Sequence, residues 1–249
     1  MGLDQFAFAA TVRMKHRLFL FDLDDTLLDF RASERLSFTR TIEALGLDGA
    51  ALNPDALFAD YQTINLALWK AFELGTVTKD FLKVERFRKA FEQHGIERDP
   101  QAASALYLDA LADTVVLIDG AVELCAALAA RGEVGIVTNG VHQIQSRRIA
   151  SSGLDRCVSF VATSEACGFA KPDVRFFEYA TGMAQRFVRD ETVIVGDRLD
   201  ADILGANRFG IESCWFNPGR AQNNSHAVPD CEAASLQEVI PALQGLVAA

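Results

Sequence analysis

Basic runs, close cysteine pairs, long apolar stretches and low-complexity tracts are all missing from this chain. Acidic residues outnumber Lys and Arg by 34 to 24, for a formal charge of −10. A nucleic-acid polymer or an anionic membrane surface needs clustered Lys and Arg to displace counterions, so neither is expected as a partner. Cys125, Cys157, Cys167, Cys214 and Cys231 are scattered, which excludes a zinc site of closely spaced thiolates and a dense disulfide framework. They fit reduced thiols in a cytoplasm. His16, His94, His142 and His226 show no partner pattern and are expected at the surface or in loops. No segment is long and apolar enough to span a bilayer. The opening MGLDQFAFAATVRMKHR has no basic residue ahead of its short apolar stretch and is not read as a signal peptide. Residues 1–14 are expected to form a loose extension, with Met14 an alternative natural start.

What is present suits a folded enzyme core. Half of the 249 residues are apolar, enough to bury a sizeable interior. Short apolar runs, RLFLF (17–21), VGIVT (134–138), VSFVAT (158–163), TVIVG (192–196) and IESCWF (211–216), are apolar on both alternations, as parallel strands buried on two faces are. Amphipathic segments separate them, such as GAVELCAALAARG and PDVRFFEYATGM, the latter read as a helix with Pro172 in its first turn. The pattern predicts an α/β fold, a doubly wound parallel sheet.

Between Arg31 and Asp113 the strand signal stops. Four helices are predicted there: Ser33 to Leu45; from an Asn53 cap with Pro54 to about Leu74; Thr78 to His94; and from an Asp99 cap with Pro100 to about Ala112. The chain is therefore divided into an α/β core, residues 15–30 and 114–249, and an inserted all-helical cap, residues 31–113. An insertion leaving the carboxyl end of the first strand would act as a lid.

FDLDDTLLD places Asp22, Asp24, Asp25 and Asp29 directly after the first strand. Gathering carboxylates there costs stability unless a cation or a shared proton offsets their repulsion. Alternation points Asp22 and Asp24 the same way and turns Leu23 inward. A second acidic group, GDRLDAD, follows the strand 192–196 and contains Asp197, Asp200 and Asp202. Oxygen donors from two strand ends fit Mg²⁺ better than zinc. Two more strand ends add Thr138 and Asn139, whose hydroxyl and backbone N–H groups suit phosphate oxygens, and Lys171, a compact positive charge. Acids, a metal, a lysine and a hydroxyl together describe phosphoryl transfer.

In this order the motifs resemble those of the haloacid dehalogenase-like hydrolases. DLDDT is similar to the family's first motif, Thr138 to the second, Lys171 to the third, and GDRLDAD, with Asp197 and Asp202, to the fourth. The resemblance implies Asp22 as nucleophile, forming an aspartyl-phosphate that water hydrolyses, and Asp24 as the acid that protonates the leaving alcohol and then activates that water. It implies Mg²⁺ held by the Asp22 carboxylate, the Asp24 main-chain carbonyl and Asp197, with Asp202 assisting through water or Lys171. Thr138, Asn139 and Lys171 would hold the phosphate. In the family's pattern dehalogenases lack an acid at the position of Asp24, so the resemblance points to its phosphatase branch. Asp25 stands where many members carry Gly.

The segment DYQTINLALWKAFELGTVTKDFLKVERFRKAF also resembles bacterial pyrimidine 5′-nucleotidases. The expected substrate is a small phosphate ester, foremost a pyrimidine nucleoside 5′-monophosphate. Phosphoglycolate, a sugar phosphate or an N-acylneuraminate 9-phosphate is the alternative. A non-catalytic metal- and phosphate-binding regulator is a further alternative, against which the Asp22 and Asp24 pair speaks. Tyr61, Asn65 and Trp69 recur every four residues, so a ring could stack on a base and an amide read its edge, and Arg86 could meet a phosphate or carbonyl. Against this, aromatic residues at helical spacing more often form core, and an arginine is more often solvated or salt-bridged.

Overall fold

The computed structural model describes residues 14–47 and 52–246. The expected N-terminal extension therefore lies almost wholly outside the described residues; Met14, the one part within them, is buried. The chain divides into two compact units: one runs up to Phe30 and resumes at Val116, and the other is Arg31–Val115.

The first unit is built on six parallel strands: β1 (Leu18–Phe21), β2 (Glu133–Thr138), β3 (Phe160–Thr163), β4 (Thr192–Gly196), β5 (Glu212–Phe216) and β6 (Cys231–Ala233), in the spatial order β3-β2-β1-β4-β5-β6. β1 lies at the centre because all four of its side chains are apolar and buried, which only a strand covered on both faces can offer. Its register aligns Phe21 with Ile136 of β2 and Val195 of β4. Leu18, Leu20, Val137 and Ile194 pack with Phe176 and Phe177 of the helix Val174–Gly182. Each such side chain contributes about 1.5–3 kcal/mol by leaving water. The sheet order reverses at β1, so the crevice beyond its carboxyl end, between β1 and β4, is where a fold of this kind places its site.

Several details depart from the sequence reading. The helix expected to begin at Pro172 starts at Val174, because Asp173 caps it by accepting from the Arg175 N–H. β6 is a three-residue edge strand with no apolar run to announce it. His16 is fully buried rather than surface-exposed, with Nε2 2.6 Å from Glu212 Oε2. Burial lowers its pKa against the pull of that carboxylate.

The second unit holds the helices Pro54–Glu73, Lys79–Gln93 and Pro100–Asp113, together with the helix Phe30–Ala44 from Arg31 onward. Asn53, Thr78 and Asp99 cap the three later helices through their side chains. Phe38, Tyr61, Phe87 and Tyr107 form an aromatic core with ring centroids 4.8–6.5 Å apart. Among the described residues no helix is long and apolar enough to cross a membrane.

Candidate active site

The carboxyl edge of the sheet gathers the predicted acids. Asp22 follows β1 and is buried, and its N–H donates to the Val195 carbonyl at 3.0 Å. Asp197 follows β4. Asp202 returns to the strand end through a turn of π-helix, Leu199–Ile203, and its carboxylate lies against Gly196, where an added Cβ would stand 2.4 Å from Asp202 Cγ. The glycine is required for that close approach. Asp22, Asp197 and Asp202 present carboxylate oxygens within 4.8 Å of one another. Thr26 ties the two strand ends: its hydroxyl lies 3.3 Å from Asp22 Oδ2 and accepts from the Asp197 N–H at 3.1 Å.

Lys171 supplies the positive charge. Fully buried, its Nζ donates to Asp22 Oδ1 at 2.6 Å, Asp202 Oδ1 at 2.6 Å and the Val137 carbonyl at 2.8 Å. Burial alone would lower its pKa, but Asp202 and Asp22 more than offset that and raise it. Burial pushes the Asp22 carboxyl up to about 7, Lys171 pulling the other way and Asp202 and Asp24 adding to the rise. Burial, then Asp22 and Asp202, push Asp197 up to about 9. Once ionised, the three crowded acids outnumber the one lysine, and the donors are all oxygen. Asp22, Asp197 and Asp202 therefore fit a hard divalent cation such as Mg²⁺.

Thr138, at the end of β2, is buried, and its hydroxyl accepts from the Gly140 N–H at 3.0 Å. The Asn139 side chain braces Lys171, accepting from its N–H at 2.9 Å and donating to its carbonyl at 3.1 Å. Any phosphate contact by Asn139 thus falls to its backbone. Asp25 adopts φ +61, the left-handed turn for which Gly is the usual residue, and its carboxylate accepts from the Phe30 N–H at 2.9 Å. Asp200, exposed, pairs with Arg198.

The Asp24 side chain meets two residues that sequence reasoning did not single out. Gln145 Nε2 lies 2.5 Å from its Oδ2, and Arg148 Nη1 lies 2.5 Å from its Oδ1. Both sit on the helix His142–Ser152 in one buried stripe with Ile144 and Ile149. A Gln and an Arg at core-facing spacing beside two isoleucines were the available signal.

In the helical unit, Tyr61, Asn65 and Arg86 come together. Arg86 Nη1 donates to Asn65 Oδ1 at 3.1 Å, Asn65 Nδ2 donates to Glu34 Oε1 at 3.1 Å, and the Arg86 guanidinium sits 5.7 Å from the Tyr61 ring centroid and 4.6 Å from that of Tyr107. All three are buried, which agrees with the core reading of Tyr61 and corrects the expectation of a solvated or salt-bridged Arg86. Tyr61 is core because its neighbours are aromatic on several sides, and Arg86 is neither solvated nor salt-bridged at the surface because Asn65 and the tyrosine rings take it inside. Trp69 is half-buried against Phe72, with Lys79 Nζ 5.8 Å from its ring.

The wider comparisons agree with this geometry. A family model described as haloacid dehalogenase-like hydrolase matches residues 16–210. The HAD-hydrolase YfnB of Bacillus subtilis is 36% identical over 225 residues, 90% of this chain and 94% of that protein. Its crystal structure, bound to magnesium, is similar at a TM-score of 0.84, covering 92% of this chain and 98% of that one. The pyrimidine 5′-nucleotidase PynA of Streptococcus pneumoniae is 35% identical, covering 92% of this chain and 96% of its own. The pyrimidine 5′-nucleotidase YjjG of Escherichia coli is 31% identical, covering 91% and 97%. With the four strand-end motifs in family order on a sheet of the family's kind, the chain belongs to the haloacid dehalogenase-like hydrolases.

Proposed function

We propose that this protein is a Mg²⁺-dependent phosphomonoesterase whose substrate is a pyrimidine nucleoside 5′-monophosphate. The observation that carries the reading is the Asp22 carboxylate, held by Lys171 beside Asp197 and Asp202, with a second carboxylate, Asp24, two residues on and gripped separately. That is a nucleophile and a distinct acid/base in one crevice. The nucleotide half of the proposal is supported by the two nucleotidase relatives, PynA and YjjG. Five thiols without a disulfide fit a cytoplasmic setting.

In this reading an Asp22 oxygen attacks phosphorus while the P–O bond to the alcohol breaks and Asp24 delivers its proton to the departing oxygen. Asp24, now a carboxylate, takes a proton from the water that attacks the aspartyl-phosphate, returning Asp22 and free phosphate. Lys171 and the Thr138 hydroxyl stabilise the equatorial oxygens as charge shifts onto them. Mg²⁺ on Asp22, Asp197 and Asp202, with the Asp24 carbonyl, would shield the nucleophile from the phosphate dianion. Tyr61, Asn65, Trp69 and Arg86 belong to the unit to which we assign substrate choice, Trp69 through its ring and the buried trio through the shape it gives that unit.

The test is phosphate release from nucleoside monophosphates, sugar phosphates and phosphoglycolate, with Mg²⁺ or chelator, for wild type and Asp22→Asn. Metal- and Asp22-dependent release led by UMP, dUMP or dTMP is the expected result. A different leading ester keeps the mechanism and removes the nucleotide assignment. No release from any ester removes both.

A further inference from the structure

Arg148 is a costly residue for the place it occupies. Its side chain is fully buried, its Nη1 is shared between Asp24 Oδ1 at 2.5 Å and Gln145 Oε1 at 3.0 Å, and its Nε and Nη2 meet no hydrogen-bond partner among the described residues. Apolar side chains of similar volume in place of a buried ion pair are often neutral or stabilising, so packing alone does not account for an arginine in this stripe. Gln145 is equally committed. Its Nε2 reaches both Asp24 Oδ2 at 2.5 Å and Thr138 Oγ1 at 3.2 Å, and the loop before it carries Gly140, where an added Cβ would stand 2.2 Å from that nitrogen. Each oxygen of Asp24 thus has its own donor, the two donors are bonded to one another, and one of them also touches the hydroxyl placed for phosphate.

We infer that Arg148 and Gln145 are positioning residues that fix the Asp24 carboxylate relative to Asp22 and Thr138. The inference rests on the phosphatase reading and adds a division of labour to it. The pair acts on the two proton transfers, to the leaving alcohol and from the attacking water, and leaves the attack of Asp22 on phosphorus untouched. Its imprint is therefore dependence on the leaving group. An alkyl phosphate cannot expel its alkoxide without a proton, whereas 2,4-dinitrophenyl phosphate expels a stable phenolate unaided.

The experiment compares wild type, Arg148→Met, Arg148→Lys and Gln145→Leu with Mg²⁺ on an alkyl phosphate ester and on 2,4-dinitrophenyl phosphate, with crystal structures of the same variants. Misplacing a general acid by about an ångström costs on the order of 10²-fold. Arg148→Met should lose at least about tenfold in kcat/KM on the alkyl ester and less than about threefold on the dinitrophenyl ester. On the latter, kcat should fall and the phosphoenzyme should accumulate, because water activation has slowed. Gln145→Leu should show the same split without a change of charge, and Arg148→Lys should recover part of the loss. In the crystals the Asp24 carboxylate should leave its wild-type orientation. Equal losses on both esters in an active protein, or an unmoved Asp24, overturn this inference alone. A wild type inert on both esters overturns it together with the phosphatase reading.

Discussion

At the scale of single residues, the Asp22, Asp197 and Asp202 cluster would make a bound metal a matter of stability as well as of the proposed catalysis. Asp22 and Asp197 are raised from an ordinary value of 3.8 to about 7 and about 9, chiefly by burial. Groups whose folded pKa is raised bind more protons folded than unfolded, so their contribution is fully present below about 3.8 and is lost as pH climbs through 7 and 9. A cation that prefers the ionised carboxylates reverses the trend. In chelator the melting temperature should therefore fall between pH 6 and pH 9, and the increase produced by Mg²⁺ should be larger at pH 9 than at pH 6. Thermal unfolding at the two pH values, with and without metal, checks this; a Mg²⁺ increment independent of pH would disconnect the three acids from the ion. Lys171→Met removes the buried cation that now holds Asp22 and Asp202. It should cost about 3–5 kcal/mol in denaturant unfolding of the metal-free protein, and about 10²–10³ in kcat with Mg²⁺ present. A variant of wild-type rate would take Lys171 out of the reaction.

At the scale of elements, what could be read from the sequence depended on how local its cause is. The helix starts after Asn53, Thr78 and Asp99 were readable because each cap is a contact between near neighbours in the chain. β1 and β4 were readable because burial on both faces leaves an unbroken apolar run. β6 was not, because an edge strand of Cys231, Glu232 and Ala233 is defined by its partner β5 rather than by its own composition. His16 was misplaced for the same reason: its partner Glu212 lies 196 residues away. Within the site, Asp22, Asp24, Lys171, Asp197 and Asp202 stand in spacings that chemistry restricts, whereas Gln145 and Arg148 are polar residues on an ordinary helix until its buried stripe is known. The helix Pro54–Glu73 shows the limit of periodicity, since it put Tyr61, Asn65 and Trp69 on one face and could not say which were sealed. The structure separates them, and so should mutation. Tyr61→Ala empties a fully buried position and should destabilise by about 3–5 kcal/mol. Trp69→Ala, at a half-buried one, should cost less than about 1.5 kcal/mol, and should alter the ranking of nucleotides more than the hydrolysis of a generic aryl phosphate. Urea unfolding and a two-substrate assay on both variants decide it: uniform losses on all esters for Trp69→Ala would make it a packing residue like Tyr61.

At the scale of the whole molecule, the α/β unit is discontinuous in sequence, yet its two edges meet. The Asp29 N–H donates to the Val116 carbonyl at 2.8 Å, the Ile118 N–H donates to the Leu27 carbonyl at 3.0 Å, and Leu28 pairs with Leu117 in an antiparallel bridge. The chain leaves and re-enters this unit through one hydrogen-bonded stem, so a hairpin-length link of about 2–5 residues suffices to close it. Among the described residues every strand, and every residue assigned to the reaction, lies on the α/β side of that stem. Replacing residues 31–115 by a short Gly-Ser link should therefore give a folded protein that unfolds cooperatively and is stabilised by Mg²⁺. It should hydrolyse an aryl phosphate slowly in an Asp22-dependent way and no longer rank pyrimidine nucleotides above other esters. Circular dichroism melts with and without Mg²⁺, followed by the ester panel, separate the possible failures. A chain that does not fold makes the helical unit part of the folding nucleus. One that folds and still prefers pyrimidine nucleotides moves substrate choice into the α/β unit, where the residues beside Asp24 become the place to look for it.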